Sequence, residues 1–179
     1  MKGEYYFDPS IEFEVTPYTM AVIGEKLSNE TPAYSRILEV EGEFIINLKP
    51  TTIIDRSCKY FGSSLKGRLE GTRELTGITY KPPIAIDPTN EIYMFPTVSP
   101  YKDTCAWIAH SYILNYHTVA PEKTIITFTN HQSIILNVSK GSFENQLNKT
   151  AQFRFILSKR LIWNQQKIRK YPQKELDLV

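Results

Sequence analysis

Two cysteines and three histidines are all that 179 residues provide. Cys58 and Cys105 fit a reducing compartment, and no disulfide is expected between them. Together with His110, His117 and His131 they make no Cys-x-x-Cys or His-x-x-x-His spacing, so nothing presets a ligand geometry and neither metal nor cofactor is expected. No apolar run approaches the ~18–20 residues needed to cross a bilayer. The longest, such as Ile84–Ile86, are strand-sized, and the opening MKGEYYFDPS lacks the apolar stretch of a secretory signal. The expectation is a cytoplasmic protein without a membrane partner. No Gly-x-Ser-x-Gly elbow marks a serine nucleophile. Gly62 and Gly67 have the spacing that begins a phosphate loop. Arg68 and Leu69 then stand where Lys and Ser/Thr must reach phosphate and magnesium. The sequence therefore argues for no enzyme.

Acid is missing from one long stretch. Residues 145–174 contain eight bases (Lys149, Arg154, Lys159, Arg160, Lys167, Arg169, Lys170 and Lys174) and no Asp or Glu. Residues 1–55 are the reverse, with ten acids against four bases, so the overall charge of +2 conceals a strong asymmetry. Such a distribution suits a polyanionic partner. Charge alone favours the plainer reading, basic helix surfaces paired to an acidic head.

Eleven prolines, eleven tyrosines and nine phenylalanines favour strands and turns over a helical bundle. Alternation predicts strands over Ile11–Val15, Tyr18–Ile23, Arg36–Val40 and Glu43–Leu48, with residues 24–35 as a loop and Glu41-Gly42 as a hairpin turn. Pro50 reads as a strand stop. Thr51 or Thr52 then caps a helix to Tyr60, and Ser63 begins a second to about Leu75. Strands follow at Ile84–Ile86, Glu91–Phe95, Trp107–Tyr116, Lys123–Thr129 and Ser133–Val138, with Asn130-His131 at the tip of the last hairpin. Ser142 caps a long C-terminal helix. The fold class is α+β: mostly antiparallel β, short helices in the middle and a helix at the C-terminus.

Arg56 to Lys81 concentrates the chemistry. Arg56, Lys59, Lys66, Arg68, Arg73 and Lys81 stand against two acids, divided by glycines and interleaved with Tyr60, Phe61 and Tyr80. Guanidinium and ammonium groups on such a segment neutralise phosphates and displace their counterions. Asn130, His131 and Gln132 carry hydrogen-bonding side chains suited to base edges, or simply to a turn. Lys140 stands at the step from strand to helix. Arg154 falls inside the apolar stripe Phe143, Leu147, Ala151, Phe155, where it is either paired internally or held rigid for contact. From Phe153 on, apolar residues (Phe153, Phe155, Ile156, Trp163) occur on every side of the helix, which asks for burial against the sheet or against another subunit. Cys58, beside Arg56 and Lys59, either has its thiolate favoured by those charges or is buried and inert.

The wording of several strings resembles the ComK family, the competence transcription factors of Gram-positive bacteria. They are DRSCKYFGSS at 55–64, GR at 67–68, KPPI at 81–84, DP at 87–88, FPT at 95–97 and SFENQ at 142–146, with NLKP at 47–50 and CAWIAH at 105–110 weaker. They occur in family order across residues 47–151. The stretch WIAHSYILNY with TIITFTNHQSIILNVSKGSFENQL is more faintly similar to LytTR-type DNA-binding domains, which are strand-rich and insert loops into DNA. The resemblance implies an activator of DNA-uptake genes that recognises A/T-rich boxes in double-stranded DNA promoters, largely through the minor groove. Its DNA contacts would come from Arg56, Lys59, Lys66, Arg68, Arg73, Lys81, Asn130, His131, Lys140 and Arg154. Paired boxes imply a homo-oligomer, here through Phe153, Phe155, Ile156 and Trp163. RNA polymerase and an adaptor that delivers the protein to a Clp protease are further implied partners, and the nucleoid is the implied location. Tyr171-Pro172 stands where the family's adaptor segment would be, but its flank Ile168-Arg169-Lys170 is basic rather than apolar and the tail is shorter, which weakens the adaptor implication. The expected organisation is one domain: an acidic β region at 1–50, a basic helical and β DNA-binding region at 51–140, and a basic helix with a flexible tail at 141–179. The other reading is a regulatory paralogue that does not bind DNA and acts as a protein-interaction module.

Overall fold

A computed structural model describes residues 13–26, 28 and 33–170. Strands β1 (Thr19–Glu25), β2 (Tyr34–Glu39) and β3 (Gly42–Ile46) lead into helices α1 (Pro50–Tyr60) and α2 (Leu65–Thr76). Strands β4 (Ile84–Asp87), β5 (Ile92–Pro96) and β6 (Ala106–Ala109) come next. A 3-10 turn at His110–Tyr112 then precedes β7 (Ile113–Ala120), β8 (Lys123–Phe128), β9 (Ser133–Leu136) and the long α3 (Lys140–Lys170). Six strands form an antiparallel sheet in the order β3-β2-β1-β6-β5-β4, and β7-β8-β9 form a second. The protein is α+β, as expected.

The six-stranded sheet is covered on both faces, so β4, β5 and β6 are buried along their whole length and, Asp87 at the end of β4 apart, read as continuous apolar runs rather than alternating ones. One face packs Val22, Ile37, Met94 and Trp107 against Ile53, Ile54, Cys58, Leu65 and Leu69 of α1 and α2. The other packs Ala21, Leu38, Phe95 and Ile108 against Ile126, Phe128, Ile134 and Leu136 of the small sheet and Phe143 of α3. Each fully buried Ile, Leu or Phe contributes about 1.5–3 kcal/mol. Further along, Phe153 of α3 meets Ala85 and Tyr93, beside Leu75 of α2.

Several expectations are corrected. Pro50 begins α1 instead of ending a strand, because the first helical position needs no N–H donor; Lys49 precedes it without a side-chain cap. The second helix is capped by Ser64, whose Oγ accepts from Gly67 N at 3.1 Å. Ser139, not Ser142, caps α3: its Oγ accepts from Ser142 N and its carbonyl from Phe143 N. Trp107–Tyr116 is not one strand. The 3-10 turn breaks it, and its halves join different sheets. Ile11 and Glu12 lie outside the described residues, and Phe13–Val15 is not a strand. Val15 N donates instead to Ser57 Oγ of α1, buried, at 2.9 Å. Strand β1 extends through Gly24 into the expected loop. There a Cβ would lie 2.0 Å from the Asp103 carbonyl oxygen, so only glycine fits. The expected flexible tail beyond Lys170 lies outside the described residues.

Candidate nucleic-acid interface

Helical periodicity sorts the cations of α1 and α2. At ~100° per residue, Lys66 and Arg73 share one face of α2, while Arg68 lies opposite, in the stripe of Leu65, Leu69 and Thr72. Lys66 and Arg73 are accordingly exposed, and Leu65, Leu69 and Thr72 are buried. Arg68 is turned inward. Its Nη2 donates to the Ile86 carbonyl at 3.2 Å, and its buried Nε has no partner. On α1 the buried stripe is Ile53, Ile54, Ser57 and Cys58, which leaves Arg56 and Lys59 outward. Lys59 pairs with Asp55 at 2.8 Å, and Lys66 faces Glu70 at 3.9 Å. Asp55 also accepts from Leu65 N at 2.9 Å. The Lys59 hydrogen bond first, and the Leu65 N–H with it, hold its carboxyl below the usual range. With Ser64 and Asp55 occupying its N–H groups, the α2 start is not a phosphate cradle.

The segment after α2 brings together pieces far apart in the chain. Gly77 ends the helix at φ +72°, where glycine is unstrained. Lys81, at φ +47°, is half-buried, and its Nζ donates to the Thr97 carbonyl at 3.1 Å and reaches Ser142 Oγ at 3.5 Å. Gln146 Nε2, buried, donates to the carbonyls of Lys81 (3.0 Å) and Pro96 (2.9 Å). Three of the strings noted above, KPPI, FPT and SFENQ, thus meet in one place. One turn further on, Lys149 Nζ donates to the Tyr80 carbonyl at 3.1 Å. Sequence reasoning named Lys149 among the bases and Tyr80 among the aromatics but did not bring them together or make either a site residue, since their contact spans 69 residues.

The remaining candidates separate. Asn130 is used in the fold: its Nδ2 donates to the Val40 carbonyl at 3.0 Å and to Gln132 Oε1 at 3.1 Å, and its Oδ1 accepts from Gln132 N. His131 is exposed at the hairpin tip with φ +68°. Lys140, on the first turn of α3, pairs with Glu144 at 3.5 Å and sits 5.8 Å from the Tyr116 ring centre. Arg154 is paired internally. It bonds Glu91, donates to His110 Nδ1 at 2.8 Å and lies over the Tyr93 ring. Burial, and then the Arg154 charge, hold the His110 imidazole below its ordinary pKa. Among the residues expected at a subunit contact, Phe153 is spent within the chain, edge-on to Tyr93 at 5.9 Å. Phe155 and Trp163 are exposed and Ile156 is partly so. Cys58 is the inert alternative: burial pushes its thiol up to about 12. Among the described residues no group of three or more His, Cys, Asp or Glu is placed to hold a metal, and no helix is long and apolar enough to cross a membrane.

The family model described as ComK protein matches residues 10–162. The competence transcription factor of Bacillus subtilis (strain 168) is 38% identical over 170 residues, covering 93% of this chain and 88% of that protein. No solved structure matches.

Proposed function

The chain belongs to the ComK family, and we propose that it is a transcriptional activator of competence genes that binds double-stranded DNA directly, at A/T-rich boxes and largely through the minor groove. One observation carries the DNA contact: Arg56, Lys59, Lys66 and Arg73 all stand on the outward faces of two helices packed on each other. A narrow A-tract groove has enhanced negative potential that attracts such side chains. Phosphate contacts set affinity, and side chains in the groove add selection. Lys81, beside Ser142, and Lys140, at the start of α3, are further cations in this reading, and His131 is exposed at a hairpin tip, where it could approach a base edge. Arg68, Arg154 and Asn130 act as supports, because each makes hydrogen bonds inside the fold. The protein turns over no substrate in this reading, works in the cytoplasm on the nucleoid and engages RNA polymerase at the promoter. An adaptor acting with a Clp protease would engage the residues after Lys170.

Anisotropy of a labelled A/T-box duplex, followed as salt rises from about 0.05 to about 0.3 M, tests this. Affinity should fall steeply, because each neutralised phosphate contributes close to one unit of log–log slope. A flat response would overturn direct binding.

A specific observation also supports the interaction-module reading. Phe155, Leu161, Ile162, Trp163 and Ile168 are exposed on the distal part of α3. If the chain forms stable oligomers but binds no duplex at any salt, that reading replaces the first. If it does both, this helix supplies the contact that paired boxes need.

A further inference from the structure

Resting on the DNA-binding reading, we propose that Lys81, Lys149 and the ring of Tyr80 form a clamp for one phosphodiester of the duplex backbone. The two ammoniums lie 5.0 and 5.6 Å from the centre of the same tyrosine ring. Neither takes part in any ion pair found among the described residues. Their acceptors are neutral: the Thr97 carbonyl and Ser142 hydroxyl for Lys81, the Tyr80 carbonyl for Lys149. Two like charges held close without a counter-charge repel one another, and a protein built only for stability would place a carboxylate there. Burial lowers the proton affinity of both amines, and the Lys81 charge lowers that of Lys149 further. An arriving anion relieves that penalty.

The site is also held in place before any ligand arrives. Gln146 ties the Lys81 carbonyl to the Pro96 carbonyl, and Lys149 is anchored on the Tyr80 carbonyl. Little side-chain freedom remains to be lost on binding. Lysines bind phosphate oxygens as compact point charges, without the fixed approach that a guanidinium fork requires. The exposed ring of Tyr80 beside the charges offers an apolar surface for the sugar next to the phosphate.

The test uses the full chain with K149Q and, as a charge-preserving control, K149R. K149Q should bind A/T-box and scrambled duplexes about threefold to tenfold more weakly, and lower the salt slope by about one, equally for both sequences. K149R should restore the slope. Thermal melting of K149Q should be unchanged or raised, because a repulsion is removed. Acetylation footprinting of wild type separates the sources of phosphate: protection of Lys149 by duplex but not by the same concentration of inorganic phosphate supports the clamp. Equal protection by both would make it a free-anion site and overturn the proposal. An unchanged slope in K149Q would also overturn it, while steep wild-type binding would keep the DNA reading. Absence of duplex binding by the wild type would remove both.

Discussion

The Gln146 side chain of α3 joins the Lys81 carbonyl, 65 residues away in sequence, at 3.0 Å. The same Nε2 reaches the Pro96 carbonyl, so one buried amide ties α3 to the segment before β4 and to the end of β5. Replacing Gln146 by Leu leaves two carbonyls without their donor, at a cost of about 1–3 kcal/mol. Urea unfolding should show that loss. Duplex affinity should fall as well, because Lys81 and Lys149 lose their common frame. A melt like wild type would show that the amide does not organise this corner.

Arg68 and Arg73 separate support from contact. Arg73→Ala changes an exposed position and should move stability by no more than about 0.5 kcal/mol, while weakening duplex binding severalfold. Arg68→Ala removes a half-buried guanidinium that donates to the Ile86 carbonyl and should cost about 1–3 kcal/mol. Melts and anisotropy on both variants check the division. It fails if Arg68→Ala is the neutral one in the melt.

That division shows how far a chain of letters can be read. Strand texture, the central helices and the C-terminal helix were all visible, because apolar alternation and turn residues are local signals. Arg68 was legible in part: it stands three residues after Leu65 and one before Leu69, inside the stripe that became buried. Lys149 was not legible as a neighbour of Lys81, because only tertiary packing brings it to Tyr80. The run Trp107–Tyr116 misled for a related reason. A continuous apolar stretch looks the same whether it stays in one sheet or passes from one to the next. Pro50 was misread because its missing N–H ends a strand and begins a helix equally well.

Acid should destabilise the protein through His110. Burial and the adjacent Arg154 place its folded pKa below the ordinary 6.5. Between the folded and unfolded values the unfolded chain binds more protons, so stability rises with pH there. The contribution is complete above about 6.5 and is lost as pH falls from there through the folded value. Asp55, depressed in the folded state, adds a separate loss at lower pH. Urea midpoints between about pH 7.5 and 5.5 should fall in wild type and much less in His110→Gln. Parallel curves for the two proteins would exclude His110 as the source.

Both thiols should be silent in the native state. Burial pushes Cys58 up to about 12 and Cys105 up to about 11, so hardly any thiolate exists near neutrality. A thiol reagent at about pH 8 should label neither until urea unfolds the chain, and both afterwards. Rapid labelling of folded protein at Cys58 would show that α1 opens readily from the sheet.

The distal part of α3 separates a lone helix from a subunit contact. At ~1.5 Å per residue the helix is about 46 Å long, and its last residue in the hydrophobic core is Phe153, with Leu157 packed beside it. Beyond that, Leu161, Ile162 and Trp163 are exposed among Lys159, Arg160 and Lys167, with Lys159 over the Phe155 ring and Lys167 over Trp163. Exposed aromatic and aliphatic side chains on a helix that has left its core favour association. Trp163→Glu should shift sedimentation toward monomer without changing the urea midpoint at low protein concentration, because Trp163 supports no intramolecular core. Binding to a duplex with one A/T box should then persist, while binding to paired boxes loses its cooperativity. If Trp163→Glu sediments like wild type and keeps cooperative binding, the subunit contact lies on another face.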